Sequence, residues 1–310
     1  ENIDLVWGRI QSEASELILA EPLMGGMVHS SILHHASFRK ALSYRISLKL
    51  SSEEMPAQIL REIIDEVVSI DDTIALSARA DMVAVFDRDP ACHQMLQPIL
   101  FYKGYQALQA YRVSHWLWKN NRKEIAYFIQ MRSSEVFGVD IHPGAVLGCG
   151  IMIDHAHSIV IGETSRVGNN VSMLHSVTLG GTGKADGDRH PTIENGVLIG
   201  AGAKILGNIT VGRCSKIAAG SVVLKDVPPC KTVAGVPGVI VGEAGCEQPS
   251  QTMDQFFNGG PNSTSTAGIV EPRSTAKGCC LTPRLRRLTR PSNWRWISSA
   301  MLMLCSRKAS

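Results

Sequence analysis

The chain has 310 residues, of which 44% are hydrophobic and 19% charged, and a formal net charge of +3. That length holds about two ordinary domains, and the composition excludes a fully disordered chain, a collagen and a polytopic membrane protein. The charge is uneven: residues 259–310 carry nine Lys or Arg against one acid, Glu271, a net +8, leaving −5 on the rest, so the body has no general basic footprint for nucleic acid.

Residues 1–137 read as a helical domain. Ser51-Ser52-Glu53-Glu54 has the form of a capping box with Pro56 in the first turn, followed by Ile59, Leu60, Ile63, Ile64, Val67 and Val68 at helical spacing. Gln106–Arg122 is a second helix, with Leu108, Tyr111, Trp116 and Trp118 as its apolar surface. These stripes are expected to pack in a core or between subunits.

From Ile141 the pattern changes. Aliphatic residues recur every six positions: Ile141, Leu147, Ile153, Ile159, a miss at Ser165, Val171, Val177, then Ile193, Ile199, Ile205, Val211, Ile217 and Val223. Neither the helix period nor the strand period produces that series. A six-residue repeat is the signature of a parallel β-helix, with each aliphatic side chain pointing into a prism and three hexads making one coil. The 16 residues between Val177 and Ile193 do not divide by six, so a loop leaves the coil at about Thr182–Pro191. An extruded polar loop on a rigid scaffold is a candidate functional element.

Beyond Pro237 the repeat stops. Residues 243–310 read as a tail, rich in Ser, Thr, Pro and Arg and atypical from about 260, and are expected to be disordered. The stretch Trp294–Leu304 contains Arg295 and is too short to cross a bilayer. Glu1–Arg9 does not have the form of a secretory signal. Among eight cysteines there is no C-x-x-C pair, so a zinc ribbon or a thioredoxin-type site has no support, and thiols in a reducing cytoplasm are expected.

Chemistry is expected first at Asp154-His155-Ala156-His157, just after the inward Ile153. Asp140 lies 15 residues earlier, nearly one coil back, and coils stack about 4.8 Å apart, so Asp140 and His155 are expected to meet across the stack. A carboxylate on one imidazole nitrogen leaves the other as a general base. In the loop, Asp188-Arg189-His190-Pro191 offers a guanidinium fork for a carboxylate or phosphate. Gly180-Gly181-Thr182-Gly183-Lys184 is not a Walker A loop, since Thr178 and Ala185 occupy its defining places. Its glycines instead allow close approach to a ligand. A three-histidine zinc site drawn from His142, His155, His157, His175 and His190 competes with acid–base and loop roles, which explain the histidines better; no metal is expected.

These motifs, together with Ala41-Leu42-Ser43-Tyr44, Arg88-Asp89-Pro90-Ala91, Gly104–Trp118, Gly162-Glu163-Thr164, Gly200–Asn208, Ala219–Leu224 and Ala234–Pro237, resemble the serine acetyltransferases over about residues 2–259. The resemblance implies an α+β fold: an all-helical domain over 1–137, which assembles the oligomer and supplies part of the serine site, and a left-handed parallel β-helix over 138–242. It implies acetyl transfer from acetyl-CoA to the hydroxyl of L-serine, the first step of cysteine biosynthesis from serine, with feedback inhibition by L-cysteine and no permanently bound cofactor. His155 is then the base and Asp140 its orienting acid. Asp89 and Asp154 hold the ammonium of serine or cysteine, and Arg189 and His190 hold its carboxylate. Gly180, Gly181, Thr182, Ala201 and Gly202 line the acetyl-CoA groove, with Lys216 near a CoA phosphate. The family further implies a trimer or dimer of trimers, a cytoplasmic enzyme with no nucleic-acid or membrane partner, and a complex with O-acetylserine sulfhydrylase. The altered tail from about 260 weighs against that complex. A hexapeptide-repeat acetyltransferase for sugars or xenobiotics is the alternative, opposed by the Asp89-Pro90 domain and the Arg189-His190 loop.

Overall fold

The computed structural model describes residues 4–183, 187–244 and 248–255. The basic tail therefore lies outside the described residues. The N-terminal half is helical: α1 (Leu5–Ala20), α2 (Gly25–Val28) running into a π turn (His29–Leu33), α3 (Phe38–Leu50), α4 (Ala57–Ile70), α5 (Asp72–Arg88), α6 (Leu96–Phe101), α7 (Lys103–Lys119) and α8 (Lys123–Phe137). Side chains set the starts: the Asp4 carboxylate accepts from Trp7 N at 3.1 Å, and the Asp71 carboxylate accepts from Thr73 N at 2.8 Å. The capping box expected before α4 is not used. Ser52 Oγ accepts from Met55 N at 3.2 Å, closing a local turn, and the extended Pro56 is itself the cap residue. Proline lacks the N–H a continuing turn would need, so the helix begins one residue after it. Leu60, Ile64, Val67 and Val68 of α4 are buried as their spacing requires.

Helix α8 ends at Gly138 in the left-handed conformation, φ 70°, and the chain enters a parallel β-solenoid directly at Val139. Its first face stacks Val139–Ile141, Ile159–Ile161, Thr178–Gly180, Lys204–Leu206 and Val222–Val223. The second stacks Val146–Leu147, Arg166–Val167, Thr192–Ile193 and Thr210–Val211. The third runs from Met152–Ile153 through Ser172–Met173, Leu198–Ile199 and Lys216–Ile217 to Lys231–Ala234, where the antiparallel Val239–Glu243 ends the stack.

The register corrects the sequence reading in one respect. Ile141 pairs with Ile161, Leu147 with Val167 and Ile153 with Met173, each 20 residues on, not 18. Two residues beyond the hexad enter at the turn 154–158. The stacked column therefore runs through Ile161, Val167, Met173 and Leu179, and Ser165 is not a missing member of it. Ile159, Ser165, Val171 and Val177 are buried as well, because each hexad turns a second side chain inward two residues earlier. That double burial hides the slip from a count of aliphatic residues. After Leu179 the next column member is Ile193, so the extruded loop adds eight residues to a hexad.

Helices and solenoid share one core. Asp81 of α5 and Arg112 of α7 form a buried ion pair at 2.7 Å, and Ile151 N (3.0 Å) donates to Asp81 while Arg112 donates to Gly148 O (2.8 Å). Each charge is thus satisfied where the helices cap the first coil. Further along the chain, α9 (Pro249–Thr252) returns to lie against α5 and the third face, where Ser172 Oγ donates to Ser250 O at 2.7 Å. Among the described residues no helix is long and apolar enough to cross a membrane.

Candidate active site

The two extra residues of the first coil build the first half of the site. Asp154 N donates to Met173 O at 2.8 Å, and the chain then turns through three left-handed residues: His155 (φ 56°), Ala156 (φ 48°) and Ser158 (φ 54°). L-residues rarely adopt this conformation, so the packing around the turn must impose it. Helix α7 does so: a β-carbon on Gly104 would fall 2.1 Å from Ile153 O and 2.9 Å from Ala156 Cβ. Only glycine lets the helix press on the turn this closely. The result is an exposed His155 ring, Nε2 3.6 Å from Asp154 Oδ2 and edge-on to His175 at 5.7 Å.

Asp89, the last residue of α5's cap, faces the same corner. Its carboxylate accepts from Ala91 N at 2.8 Å. Arg88 beside it is buried and donates to Gly150 O (2.9 Å), Ser172 Oγ (3.0 Å) and Asn170 Oδ1 (3.1 Å), tying the Asp89 loop to the solenoid. Burial, and then the charge of Asp89, raise the carboxyl of Asp154 above its usual range, while His155 and His175 oppose the shift. Burial and the neighbouring acids also push the Cys92 thiol up to about 11 and the Tyr102 phenol to about 12.

The second half sits where the first face turns into the second. Thr164 clasps the returning loop: its Oγ1 accepts from Arg189 N (3.0 Å) and His190 N (3.2 Å), and its own N–H donates to His190 Nδ1 (3.2 Å). A backbone donor on Nδ1 leaves the proton of neutral His190 on Nε2. Burial, then the Arg189 charge, lower the His190 pKa. Arg189 Nη2 donates to Glu163 Oε2 at 2.6 Å, and that bond holds the Glu163 carboxyl below its ordinary range. Gly162 is required, since a β-carbon there would lie 2.0 Å from His190 Nε2. His142 joins this group between Trp118 (5.0 Å) and Tyr127 (5.8 Å), its Nδ1 accepting from Gly144 N at 3.0 Å.

Asp140 is not beside His155 within the chain. The 20-residue first coil places it opposite Val160, and its Oδ1 accepts from Gln130 Nε2 of α8 at 2.6 Å. Its charge is felt by His142, in the second group. The predicted site residues therefore divide into Asp89, Asp154 and His155 at one end of the first face, and Asp140, Arg189 and His190 at the other. Seven residues separate His155 from Gly162, a span of up to about 23 Å at strand spacing.

The small residues expected along an acetyl-CoA groove divide between the two corners, Ala201 and Gly202 at that of His155 and Gly180, Gly181 and Thr182 at that of His190. Gly202 N donates to His175 O at 2.9 Å and Gly220 N to Ala201 O at 2.8 Å, which stacks Ala201 over His175 and Ala219 over Ala201. Gly180 ends its strand opposite Leu206, where a β-carbon on it would lie 3.0 Å from Leu206 Cδ2, Gly181 lies beside Arg189 and His190, and Thr182 lies beside Gly207. Lys216 does not belong to this groove. It is buried on the third face, with Nζ 3.7 Å from Asp254 Oδ2. Sequence reasoning assigned no role to Thr164, Glu163, Gln130 or Gly104, and weighed His142 only as a metal ligand. Glu163 and Thr164 stood in a recognised motif, but nothing in it says which side chain the loop returns to.

Comparison with known proteins places these features in a family. The family model described as "Serine acetyltransferase, N-terminal" matches residues 6–110, and "Bacterial transferase hexapeptide (six repeats)" matches residues 190–225. The chain is 52% identical over 259 residues to the serine acetyltransferase of Escherichia coli strain K12, covering 84% of this chain and 95% of that protein. The crystal structure of a serine acetyltransferase from Vibrio cholerae superposes with a TM-score of 0.81 at 52% identity, over 82% of this chain and 98% of that one. A serine acetyltransferase in complex with cysteine matches with a TM-score of 0.80 at 50% identity, over 81% and 98%. One from Brucella abortus in complex with coenzyme A matches with a TM-score of 0.77 at 51% identity, over 79% and 98%.

Proposed function

This chain belongs to the serine acetyltransferase family, and from that premise we propose that it transfers the acetyl group of acetyl-CoA to the hydroxyl of L-serine, giving O-acetyl-L-serine and CoA, under inhibition by L-cysteine. The observation that carries the reading is the division of charge between the two ends of the first face. Asp89 and Asp154 with His155 match the ammonium and hydroxyl end of a small zwitterion. Arg189 and His190, held by Thr164 and Glu163, match its carboxylate. Cysteine carries the same zwitterion with a thiol in place of the hydroxyl, so it competes for the same groups.

In one chain the two groups stand at opposite corners of the first face, and among the described residues no hydrogen bond or ion pair joins them. We infer that the first face of one copy meets a neighbouring copy, so that His155 of one and Arg189 and His190 of the next complete each site. His155 takes the proton from the serine hydroxyl as the oxygen attacks the thioester carbon. Asp140, which lies with the second group, orients that ring across the joint. The C–O bond forms, the C–S bond breaks through a tetrahedral intermediate, and the imidazolium returns the proton to the departing thiolate. Acetyl-CoA lies along the joint, held by Ala201 and Gly202 above His175 of one copy and by Gly180, Gly181 and Thr182 beside His190 of the next.

The test is release of CoA from acetyl-CoA, read by separating the two, with L-serine, other amino acids, sugars or no acceptor, with and without L-cysteine. Release that depends on serine and falls with cysteine is the expected result. Release with a sugar and not with serine would move the chain to a different acceptor.

A further inference from the structure

The third corner of the solenoid, between the second and third faces, carries none of the groups assigned to substrate, and only its first two rungs meet the site's supports, where Arg88 donates to Gly150 O and Asn170 Oδ1. Every coil crosses it through a residue in the left-handed conformation: Gly150 (φ 68°), Asn170 (φ 57°), Gly196 (φ 75°), Cys214 (φ 56°) and Cys230 (φ 60°). Glycine and asparagine are the ordinary occupants of such positions. In the last two coils cysteine stands there instead, twice in succession, which backbone preference does not explain.

The hydrogen bonds stack these five residues in register. Asn170 N donates to Cys149 O, Gly196 N to Asn169 O, Cys214 N to Asn195 O and Cys230 N to Arg213 O, at 2.8–3.0 Å, so Cys230 lies directly over Cys214. Adjacent parallel rungs are about 4.8 Å apart, and two residues with the same φ present their β-carbons in parallel at about that distance. Disulfides form at Cα separations of roughly 4.4–6.8 Å and Cβ separations of roughly 3.5–4.5 Å. The α-carbons thus already meet the requirement, and the β-carbons need to close by about half an ångström. Both residues are partly buried. In the reduced protein Cys214 Sγ leans the other way, 3.2 Å from where a β-carbon on Gly196 would sit, so closure requires one rotation about its χ1.

We propose that Cys214 and Cys230 are a redox modification site, a thiol pair that exchanges with low-molecular-weight disulfides and closes to an intramolecular disulfide. The thiolate of one cysteine attacks the small disulfide, forming a mixed disulfide and releasing one small thiol. The thiolate of the other then attacks the protein sulfur, forming the Cys214–Cys230 bond and releasing the second small thiol. The two cysteines are oxidised, the small disulfide is reduced to two thiols, and the two protons leave with them. The bond joins the last two coils across a corner remote from His155 and His190, so the reduced pair is not needed for acetyl transfer.

The experiment uses the full chain, fully reduced and then incubated with oxidised glutathione, with remaining thiols alkylated before trypsin digestion and mass spectrometry. Cleavage at Arg213, Lys216, Lys225 and Lys231 puts the two cysteines on separate peptides, 214–216 and 226–231. The expected result is those peptides joined, lighter by two hydrogens than their sum, with little glutathione on either. Cys214→Ser is expected to leave Cys230 carrying a stable glutathione adduct, because the resolving thiol is gone, and Cys230→Ser to do the converse at Cys214. The proposal is overturned if the wild-type chain and Cys214→Ser carry the same adduct at Cys230 and no joined peptide forms. It is equally overturned if the joined peptide comes only from a band of doubled mass on a non-reducing gel, which makes the bond intermolecular.

Discussion

At the scale of single residues, His155 and Gly162 have separable effects. His155→Ala removes the proposed base while leaving the trough at Ala201 and Gly202 intact. Its turnover is expected to fall by about 10²–10⁴-fold with acetyl-CoA binding little changed, measured by steady-state kinetics and by titration of CoA. Gly162→Ala inserts a methyl group where the His190 ring lies and displaces that ring. It is expected to raise the KM for serine more than it lowers kcat. Asp154 makes a pH-dependent prediction. Its folded-state pKa is raised, chiefly by burial, so the protonated form suits the fold better, and the carboxyl's contribution to stability is lost as pH rises through that pKa. Asp154→Asn has no such charge. It is therefore expected to melt above the wild type at neutral pH while losing serine affinity, and the difference in Tm is expected to shrink as pH falls below the raised pKa.

At the scale of elements, the turn 154–158 is positioned by α7 and not by its own sequence. Three left-handed residues in five are unfavourable in isolation, and the contact with Gly104 supplies what holds them. Gly104→Ala is expected to cost about 1–3 kcal/mol through overpacking, read from denaturant unfolding. It is also expected to lower kcat by shifting His155, although residue 104 touches no substrate. The aliphatic hexads made the solenoid legible before any coordinates, because inward side chains that recur every six residues leave a period that neither a helix nor an ordinary strand produces. The two-residue insertion was not legible, because both inward positions of a hexad accept an aliphatic residue and the count passed over the slip. That insertion separates Asp140 from the His155 of its own chain and sets it opposite Val160.

At the scale of the whole molecule, the proposal that a neighbouring copy completes each site makes a prediction of its own. His155→Ala and His190→Ala, each nearly inactive alone, are expected to regain activity when unfolded together and reassembled. With equal amounts and random mixing in a ring, about a quarter of the joints pair an intact His155 with an intact His190. Recovery of about a quarter of wild-type turnover would support sites shared between copies, and no recovery would place the whole site within one chain.

The sequence by itself determined the helical domain, the β-helix, the extruded loop and the family, since each is written in local spacing or in contiguous motifs. It also named Asp89, Asp154, His155, Arg189 and His190, because their residue types and motifs are local. Only the tertiary structure decided how they group. Which residues stack depends on the number of residues in each coil, and one two-residue insertion moved the partner of every strand in the first coil. Which side chains are reachable depends on what packs against them: Lys216 is buried with its Nζ beside Asp254, far along the chain, and carries no signal of that partner in its own hexad. Thr164, Glu163 and Gly104 became visible as supports for the same reason, each acting on a residue between 26 and 52 positions away, a distance at which sequence spacing is silent and packing decides.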